Sequence, residues 1–156
     1  MNGTEFETCV LQIEARLYRI ARAMLKNDQD AGDAIQEGIL KAWQQLHRLR
    51  DQSRFDAWLT RIVINECRNT QRQYKRRPVS LDALAEMGTP PPDPVLKDAL
   101  ERLDLKYRLP LVLHLGEGFP VREVAALLRL PLSTVKWRLH EGCKLLYALL
   151  GEEAES

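Results

Sequence analysis

The sequence predicts an all-α protein of two small helical domains joined by a proline-rich linker. Apolar residues recur at alternating steps of three and four along most of the 156-residue chain, which is the spacing of one helix face. No alternating strand pattern of useful length interrupts this spacing. The stretch 78–94 contains five prolines, which cannot support regular backbone hydrogen bonding. The predicted boundaries are therefore a domain at 1–77, a linker at 78–94 and a domain at 95–156.

Three helices are predicted in the first domain. The first helix ends near Lys26-Asn27, and Asp28 or Asp30 is expected to cap the second. Ser53 followed by Asp56 resembles a capping box for the third helix, which Pro78 stops. The inward-facing residues are predicted to be Phe6, Val10, Ile13, Leu17, Ile20 and Met24 in the first helix, Ile35, Ile39, Ala42 or Trp43, Leu46 and Leu49 in the second, and Phe55, Trp58, Leu59, Ile62, Val63 and Cys67 in the third.

The second domain begins with a helix that Asp93-Pro94 starts and that turns Leu96, Leu100, Leu103 and Tyr107 to one side. A dense apolar segment, 109–115, follows and ends at the break 116–118. The stretch 121–139 then predicts two short helices joined by a tight turn. This pattern is typical of a helix-turn-helix, which places the start of its second helix against the DNA major groove. A helix hairpin that binds no DNA is the alternative interpretation.

The second helix of this pair has two chemically different faces. Its core face is predicted at Val135, Leu139, Cys143, Leu146 and Leu150, and Ser133 or Thr134 is the expected N-cap. The opposite face offers hydrogen-bond donors, one large aromatic ring and a single acid, namely Lys136, Trp137, His140, Glu141 and Lys144. Such a face is suited to contact with base edges and phosphate.

The net charge of +1 hides a strong asymmetry along the chain. Residues 1–40 carry a net charge of −3, residues 41–77 carry +7, and residues 78–156 carry −3. The basic segment is interleaved with Phe55, Trp58 and Tyr74, which suits phosphate contact combined with base stacking. A solvated helix face is the alternative interpretation of this segment.

Catalytic and metal-binding patterns are missing from the sequence. Cys9, Cys67 and Cys143 form no CxxC pair and are predicted to be small core residues, while the three histidines share no motif spacing. We therefore expect no metal, no cofactor and no enzymatic activity. A location in the cytoplasm is expected, because there is neither an export signal nor a run of about 18 apolar residues.

Three motifs carry a resemblance to a known family. They are Asp30-Ala-Gly-Asp-Ala-Ile-Gln-Glu-Gly-Ile-Leu-Lys-Ala-Trp43, Phe55-Asp-Ala-Trp-Leu-Thr-Arg-Ile-Val-Ile-Asn65, and the stretch 116–140 that ends in Thr134-Val-Lys-Trp-Arg-Leu-His140. In this order around a proline-rich linker, they resemble the bacterial RNA polymerase sigma factors of the extracytoplasmic-function (ECF) group. The resemblance covers nearly the whole chain except the linker and the last half-dozen residues.

The resemblance implies a sigma factor that binds core RNA polymerase, at the coiled coil of the β′ subunit and the flap of the β subunit, and directs promoter-specific initiation. The residues that match the family's β′-binding helix are Asp33, Gln36, Glu37, Leu40 and Lys41, although ordinary solubilising charge would look the same. Those that match its reader of the promoter −10 element are Arg48, Arg50, Arg54, Arg61, Asn65 and Arg68. Those that match its reader of the −35 element are Ser133, Thr134, Lys136, Trp137 and His140. An anti-sigma partner is also expected by resemblance.

The sequence departs from the family pattern at three places. Glu141-Gly142-Cys143 stands where basic residues are usual, Arg129 where the turn commonly has glycine, and Trp137 where a small residue is usual. These changes predict a weaker or altered −35 preference, and Gly142 should cost about 1 kcal/mol of helix preference. Two other functions remain open: a dimeric helix-turn-helix regulator that acts alone, and a helical adaptor whose DNA motifs have decayed.

Overall fold

The computed structural model describes the backbone of residues 1–76 and 94–155, and the side chains of 1–74 and 95–151. Every regular element in those ranges is helical, which confirms the predicted all-α class. The chain divides into two compact units, Met1–Met87 (unit 1) and Gly88–Ser156 (unit 2). The predicted linker lies outside the described residues except for its last residue, Pro94.

Unit 1 is a three-helix bundle. Its helices are α1 (Gly3–Met24), α2 (Asp28–Gln44) and α3 (Phe55–Arg76), and two short 3₁₀ turns, Leu46–Arg48 and Gln52–Arg54, connect the last two. The whole predicted stripe of α1 is buried. A ring cluster closes one end of the bundle, since Phe6 packs against Trp43 at 5.1 Å and against Phe55 at 5.7 Å between ring centroids.

The caps in unit 1 differ from the predicted ones. Asn27, not Asp28 or Asp30, caps α2, because its side-chain oxygen accepts a hydrogen bond from the backbone N–H of Asp30 at 2.8 Å. Asp28 instead joins α2 to α1, since it accepts a hydrogen bond from the Tyr18 hydroxyl and pairs with Arg22 at 2.9 Å. The predicted capping box at Ser53 is also wrong. Asp51 caps the 3₁₀ turn before α3 and accepts hydrogen bonds from the backbone N–H and the hydroxyl of Ser53 at 3.0 and 2.7 Å.

The buried face of α2 consists of Ile35 and four small residues. Ala42 is buried and Trp43 is 47% exposed, so Ala42 is the inward-facing residue of the two predicted alternatives. Ile39, Leu46 and Leu49 were predicted inward but are only half-buried. Gly38 allows α2 to approach α3, because a Cβ at this position would lie 2.8 Å from Cγ2 and 3.3 Å from Cα of Val63. Ile35 and Ala42 are thus buried as predicted, whereas the other buried residues, Ala31, Ala34 and Gly38, were not on the predicted stripe.

The described residues of unit 2 form four helices. They are α4 (Pro94–Arg102), α5 (Leu105–Leu111), α6 (Val121–Leu128) and α7 (Leu132–Glu155), and α5 continues into a π-helical turn, Val112–Gly116. The predicted single stripe from Leu96 to Tyr107 is interrupted at Asp104, where one helix ends and the next begins. Ala99 and Leu103 are buried, whereas Leu96 is 38% exposed.

The helix-turn-helix predicted at 121–139 is formed by α6 and α7. Arg129 ends α6 in the left-handed conformation, with φ 56° and ψ 46°. The recognition helix α7 starts at Leu132, so Ser133 and Thr134 lie in its first turn. The prediction that one of them is the N-cap is therefore wrong. Val135 is fully buried as predicted, but the predicted core residue Cys143 is exposed and its neighbour Gly142 is buried. The buried face of α7 therefore passes through a glycine.

Candidate nucleic-acid and partner interfaces

The outward face of α2 is polar with one apolar side chain in the middle. Asp33, Gln36 and Glu37 are exposed on it, and Leu40 is 50% exposed. These four predicted residues follow steps of three, one and three, so they lie on one side of the helix. Exposed carboxylates and an amide around a leucine suit a basic partner surface that also buries apolar area.

Lys41 was predicted on this same outer face but is half-buried. Its Nζ contacts Oε1 of Glu66 on α3 at 2.5 Å, and the Glu66 side chain is only 10% exposed. The hydrogen bond to Glu66 raises the pKa of Lys41. Lys41 is therefore held between two helices, and its ammonium group compensates a carboxylate that burial would otherwise destabilise.

A polar groove of about 590 Å³ lies between α2 and α3 beside this ion pair. Asp33, Glu37 and Lys41 line its α2 side. The α3 side consists of Glu66, Asn69, Thr70, Arg72 and Gln73, none of which was predicted to belong to a site. Helical spacing assigned these α3 residues to no core stripe, so only the packing of the two helices could identify them.

The predicted basic surface spans the two 3₁₀ turns and α3. Arg48, Arg50, Arg54 and Arg61 are exposed, whereas Asn65 and Arg68 are half-buried. Arg61, Asn65 and Arg68 are spaced by four and three residues, which places them on one face of α3. At the start of this segment, hydrogen bonds from Ser53 lower the pKa of Asp51, so the connection stays capped by a carboxylate.

The aromatic side chains of the basic segment are not equally available. Phe55 is 2% exposed, and its ring centroid lies 6.0 Å from that of Trp58, which is half-buried. Phe55 therefore belongs to the core, and the predicted base stacking cannot include it. Tyr74 is 40% exposed and remains available. Cys67 lies in the same core as predicted, and burial raises the pKa of its thiol to about 12.

The recognition helix presents its predicted residues at the surface. Ser133, Lys136, Trp137 and His140 are exposed and Thr134 is half-buried. Because α7 starts at Leu132, the backbone N–H groups near Ser133 and Thr134 belong to the first helical turn, where they have no intrahelical acceptor and attract anions. The start of α7 therefore combines hydroxyls, backbone donors and a lysine on one side.

Glu141, Gly142 and Cys143, the three consecutive departures from the family pattern in α7, have different environments. Glu141 is half-buried and pairs with Lys144 at 3.8 Å. Gly142 is packed against α5, since a Cβ there would lie 3.1 Å from Cδ1 of Leu111 and 3.3 Å from Cβ of Tyr107. Close packing thus accounts for Gly142, and the third departure, Cys143, is an exposed side chain.

Tyr107 also contacts the recognition helix, a contact that the sequence did not predict. Its ring centroid is 6.2 Å from that of Trp137, and Nζ of Lys106 lies 5.1 Å above the Tyr107 ring. The sequence placed Tyr107 on a core stripe, and no motif singled out Lys106. Only the approach of α5 to α7 brings these residues beside the predicted −35 surface.

Neither a metal cluster nor a membrane-spanning helix occurs in the part of the chain that the structure describes. Within those ranges, no three His, Cys, Asp or Glu side chains are grouped so that they could hold a metal ion. The described helices also include none with the length and apolarity needed to cross a membrane.

Comparison with known proteins gives two family matches, one in each unit. Residues 9–77 match Sigma-70 region 2, and residues 95–146 match Sigma-70, region 4. The chain is 28% identical to RNA polymerase sigma factor SigV of Bacillus subtilis, over 94% of this chain and 91% of that protein. It is 31% identical to the ECF RNA polymerase sigma-E factor of Haemophilus influenzae, over 70% of this chain and 69% of that protein.

Two solved structures have a similar fold. The sigma factor RpoE of Bartonella quintana, in complex with the anti-sigma factor NepR, has a TM-score of 0.79 at 24% identity and covers 94% of this chain and 97% of its own. CnrH, in complex with the cytosolic domain of CnrY, has a TM-score of 0.72 at 26% identity and covers 99% of this chain and 92% of its own.

Proposed function

The chain belongs to the ECF group of RNA polymerase sigma factors, and from this membership we propose how its surfaces divide the work of initiation. Residues 1–77 bind core polymerase and the −10 element, residues 95–156 read the −35 element, and 78–94 link the two. The chain is a specificity subunit that acts in the cytoplasm and catalyses no step itself. Core polymerase supplies the chemistry.

The observation that carries this proposal is the presence of two chemically opposite surfaces in unit 1. The α2 face offers Asp33, Gln36 and Glu37 around Leu40, which is suited to the family's β′ coiled coil. The connection to α3 and the outer face of that helix offer arginines and one amide. One small bundle can therefore bind a basic protein surface and a nucleic-acid strand at the same time.

The basic surface is proposed to bind the −10 element as a separated strand. Arg48, Arg50, Arg54, Arg61 and Arg68 supply positive charge for contacts with phosphates, and such contacts contribute most of the affinity of proteins for nucleic acids. Asn65 lies between Arg61 and Arg68 on the same face, and an amide can donate to and accept from a base edge. The surface thus combines strand retention with recognition of an unstacked base.

Unit 2 is proposed to read the −35 element through α7. Lys136, Trp137 and His140 face the major groove, while Ser133 and Thr134 contact phosphate at the helix start. The family's contact with the β flap is assigned to this unit as well.

A partner of the anti-sigma type is proposed to cover exposed apolar side chains of unit 2. Leu145 and Tyr147 on α7 are 42% and 81% exposed, and Leu115 after α5 is 63% exposed. The related CnrH was solved with a second protein bound, which supports a protein partner for these exposed side chains. Replacing Leu145 and Tyr147 with aspartate should raise reporter transcription in cells without reducing transcription from purified components. A loss of purified activity would instead assign these side chains to the β flap.

Run-off transcription with purified core polymerase on a promoter library tests the main proposal. Transcripts should start at defined sites, and the selected promoters should share two upstream elements. Gel shifts with and without core polymerase test the dimeric regulator, which would bind a palindromic site alone. If the chain binds polymerase but selects no promoter, the adaptor function is correct. The packing of Gly142 speaks against the adaptor, because this departure has a structural cause other than decay.

A further inference from the structure

The start of α5 and the recognition helix share one surface cluster. The cluster consists of Lys106, Tyr107 and Trp137. The ring centroids of Tyr107 and Trp137 are 6.2 Å apart with an interplanar angle of 47°, and Nζ of Lys106 lies 5.1 Å from the centroid of the Tyr107 ring. Trp137 remains 56% exposed although its ring contacts Tyr107. Large aromatic side chains that are not part of a binding surface are usually highly buried. The exposure of this ring therefore calls for a binding role.

Gly142 makes the cluster possible. The 3.3 Å distance between a Cβ built there and Cβ of Tyr107 shows that the backbone of α7 lies directly against the Tyr107 side chain at this point. Tyr107 is thereby fixed beside α7 at Gly142, which follows Trp137 by five residues. A neighbouring ring that restricts the two side-chain torsions of a tryptophan lowers the entropy lost when this tryptophan binds a ligand. The glycine and the tyrosine together preorganise the indole.

The chemistry of an indole limits what it can read in the major groove. Its only polar group is one N–H donor, and the rest of its surface is apolar. The major groove presents one large apolar group, the C5-methyl of thymine, and side chains read that methyl by apolar contact. Lys106 adds a positive charge at the edge of the same surface, where a duplex in the groove would bring its phosphates.

We propose that Tyr107 orients Trp137 to read a thymine methyl in the −35 element and that Lys106 contacts an adjacent phosphate. This inference rests on the proposed role of unit 2 as the −35 reader. It adds α5 to the DNA-binding surface and makes Tyr107 a positioning residue, since Tyr107 acts through Trp137. The altered −35 preference expected from the sequence then becomes a preference for thymine at one position.

The test starts with promoters selected from a randomised library by the full chain with core polymerase. Each thymine of the selected upstream element is replaced in turn by deoxyuridine, which lacks only the methyl group. Wild-type holoenzyme should lose affinity about fourfold at one position, the effect of one buried methyl-sized group. Trp137→Ala should bind the thymine and deoxyuridine duplexes equally at that position.

Two further variants distinguish the positioning of Trp137 by Tyr107 from the phosphate contact of Lys106. Tyr107→Leu should reduce the thymine-to-deoxyuridine ratio while the chain still binds the duplex. Lys106→Gln should keep the ratio and make the negative slope of log K against log salt shallower by about 0.9, the value for one lost phosphate contact. Lys97→Gln on α4 is the matched control and should change neither quantity. Hydrogen exchange in α7 should be unchanged in every variant, which shows that unit 2 still folds.

Each other outcome overturns a defined part of the proposal. If wild-type holoenzyme selects promoters but tolerates deoxyuridine at every position, Trp137 reads no methyl and the inference is wrong while the sigma-factor function stands. An unchanged ratio in Tyr107→Leu would remove the positioning role. If Trp137→Ala affects only binding to polymerase, the cluster is a protein contact. If holoenzyme selects no promoter at all, the proposed function fails together with the inference.

Discussion

Gly38 is a residue at which α2 packs closely against α3. Replacement with alanine would put a Cβ 2.8 Å from Cγ2 and 3.3 Å from the backbone Cα of Val63. Because Val63 is fully buried, it has no free space to move into. We expect Gly38→Ala to reduce the free energy of unfolding of unit 1 by about 2 kcal/mol, the cost of overpacking. Urea unfolding of the full chain measures this change.

Gly32 is the matched control in the same helix. A Cβ at Gly32 would meet nothing within 4 Å. The substitution Gly32→Ala should therefore stabilise unit 1 by about 0.5–1 kcal/mol through helix preference alone. If both variants stabilise the chain equally, the close approach of α2 to α3 is wrong.

Arg129 carries the backbone strain of the helix-turn-helix. It is the one non-glycine residue with positive φ in the described part of the chain. Left-handed backbone costs a side-chain-bearing residue energy that glycine avoids, so Arg129→Gly should stabilise unit 2 by about 1 kcal/mol. Hydrogen exchange of the α6 amides measures this effect. Arg122→Gly, inside α6, is the control and should destabilise by about 1 kcal/mol; stabilisation by both would contradict the assigned turn.

At the scale of elements, the sequence predicted the main helices because their apolar spacing repeats over several turns. It misplaced features that depend on contacts between helices. Trp43 and Ala42 lie on adjacent positions, so spacing alone could not decide which one faces α3. Cys143 was predicted to be buried because an average helical period was extended over the whole of α7. In fact, α5 contacts α7 at Gly142, and a glycine gives no apolar signal.

The pairing of α5 and α7 leads to a prediction opposite to that from helix preference. Preference alone predicts that Gly142→Ala stabilises α7 by about 1 kcal/mol. The structure predicts destabilisation instead, because a Cβ would press on Tyr107 and Leu111 at 3.3 and 3.1 Å. Gly151→Ala is the control in the same helix, where a Cβ meets nothing within 4 Å. Thermal unfolding should show a lower midpoint for the first variant only, and a higher midpoint for both would contradict the close packing.

Glu141 lowers the positive charge of the recognition helix. Its carboxylate pairs with Lys144 at 3.8 Å and so neutralises one of the few cations on this face. Glu141→Arg should therefore tighten −35 binding and make the negative slope of log K against log salt steeper by about 0.9 for each new phosphate contact. Asp98→Arg on α4 makes the same change of net charge outside the two helices of the helix-turn-helix and should have a smaller effect. Unchanged affinity and unchanged salt dependence in Glu141→Arg would refute the predicted weakening by this residue.

At the scale of the whole molecule, separation of charge matters more than net charge. The chain carries only +1 overall, yet residues 41–77 carry +7 between two acidic segments. A nearly neutral protein has little long-range attraction for duplex DNA, so binding by the free chain should be weak. Polymerase can raise the local concentration of DNA at the basic surface once the acidic α2 face is docked. On the proposed division of work, we therefore expect charge separation to make DNA binding depend on polymerase.

Two neutralising substitutions, one on the acidic surface and one on the basic surface of unit 1, test this dependence. Arg61→Gln removes a cation from α3, and Glu37→Gln removes an anion from α2; both side chains are exposed, so each should alter stability by no more than about 0.5 kcal/mol. Arg61→Gln should weaken capture of the separated −10 strand and make the negative slope of log K against log salt shallower by about 0.7, because one single-strand phosphate contact is lost. Glu37→Gln should weaken binding to core polymerase and leave strand capture by assembled holoenzyme unchanged. Polymerase competition measures docking, and the fluorescence of 2-aminopurine in the −10 element measures strand opening. If either substitution affects both measurements equally, the two surfaces do not act separately, and the proposed division of work within unit 1 is wrong.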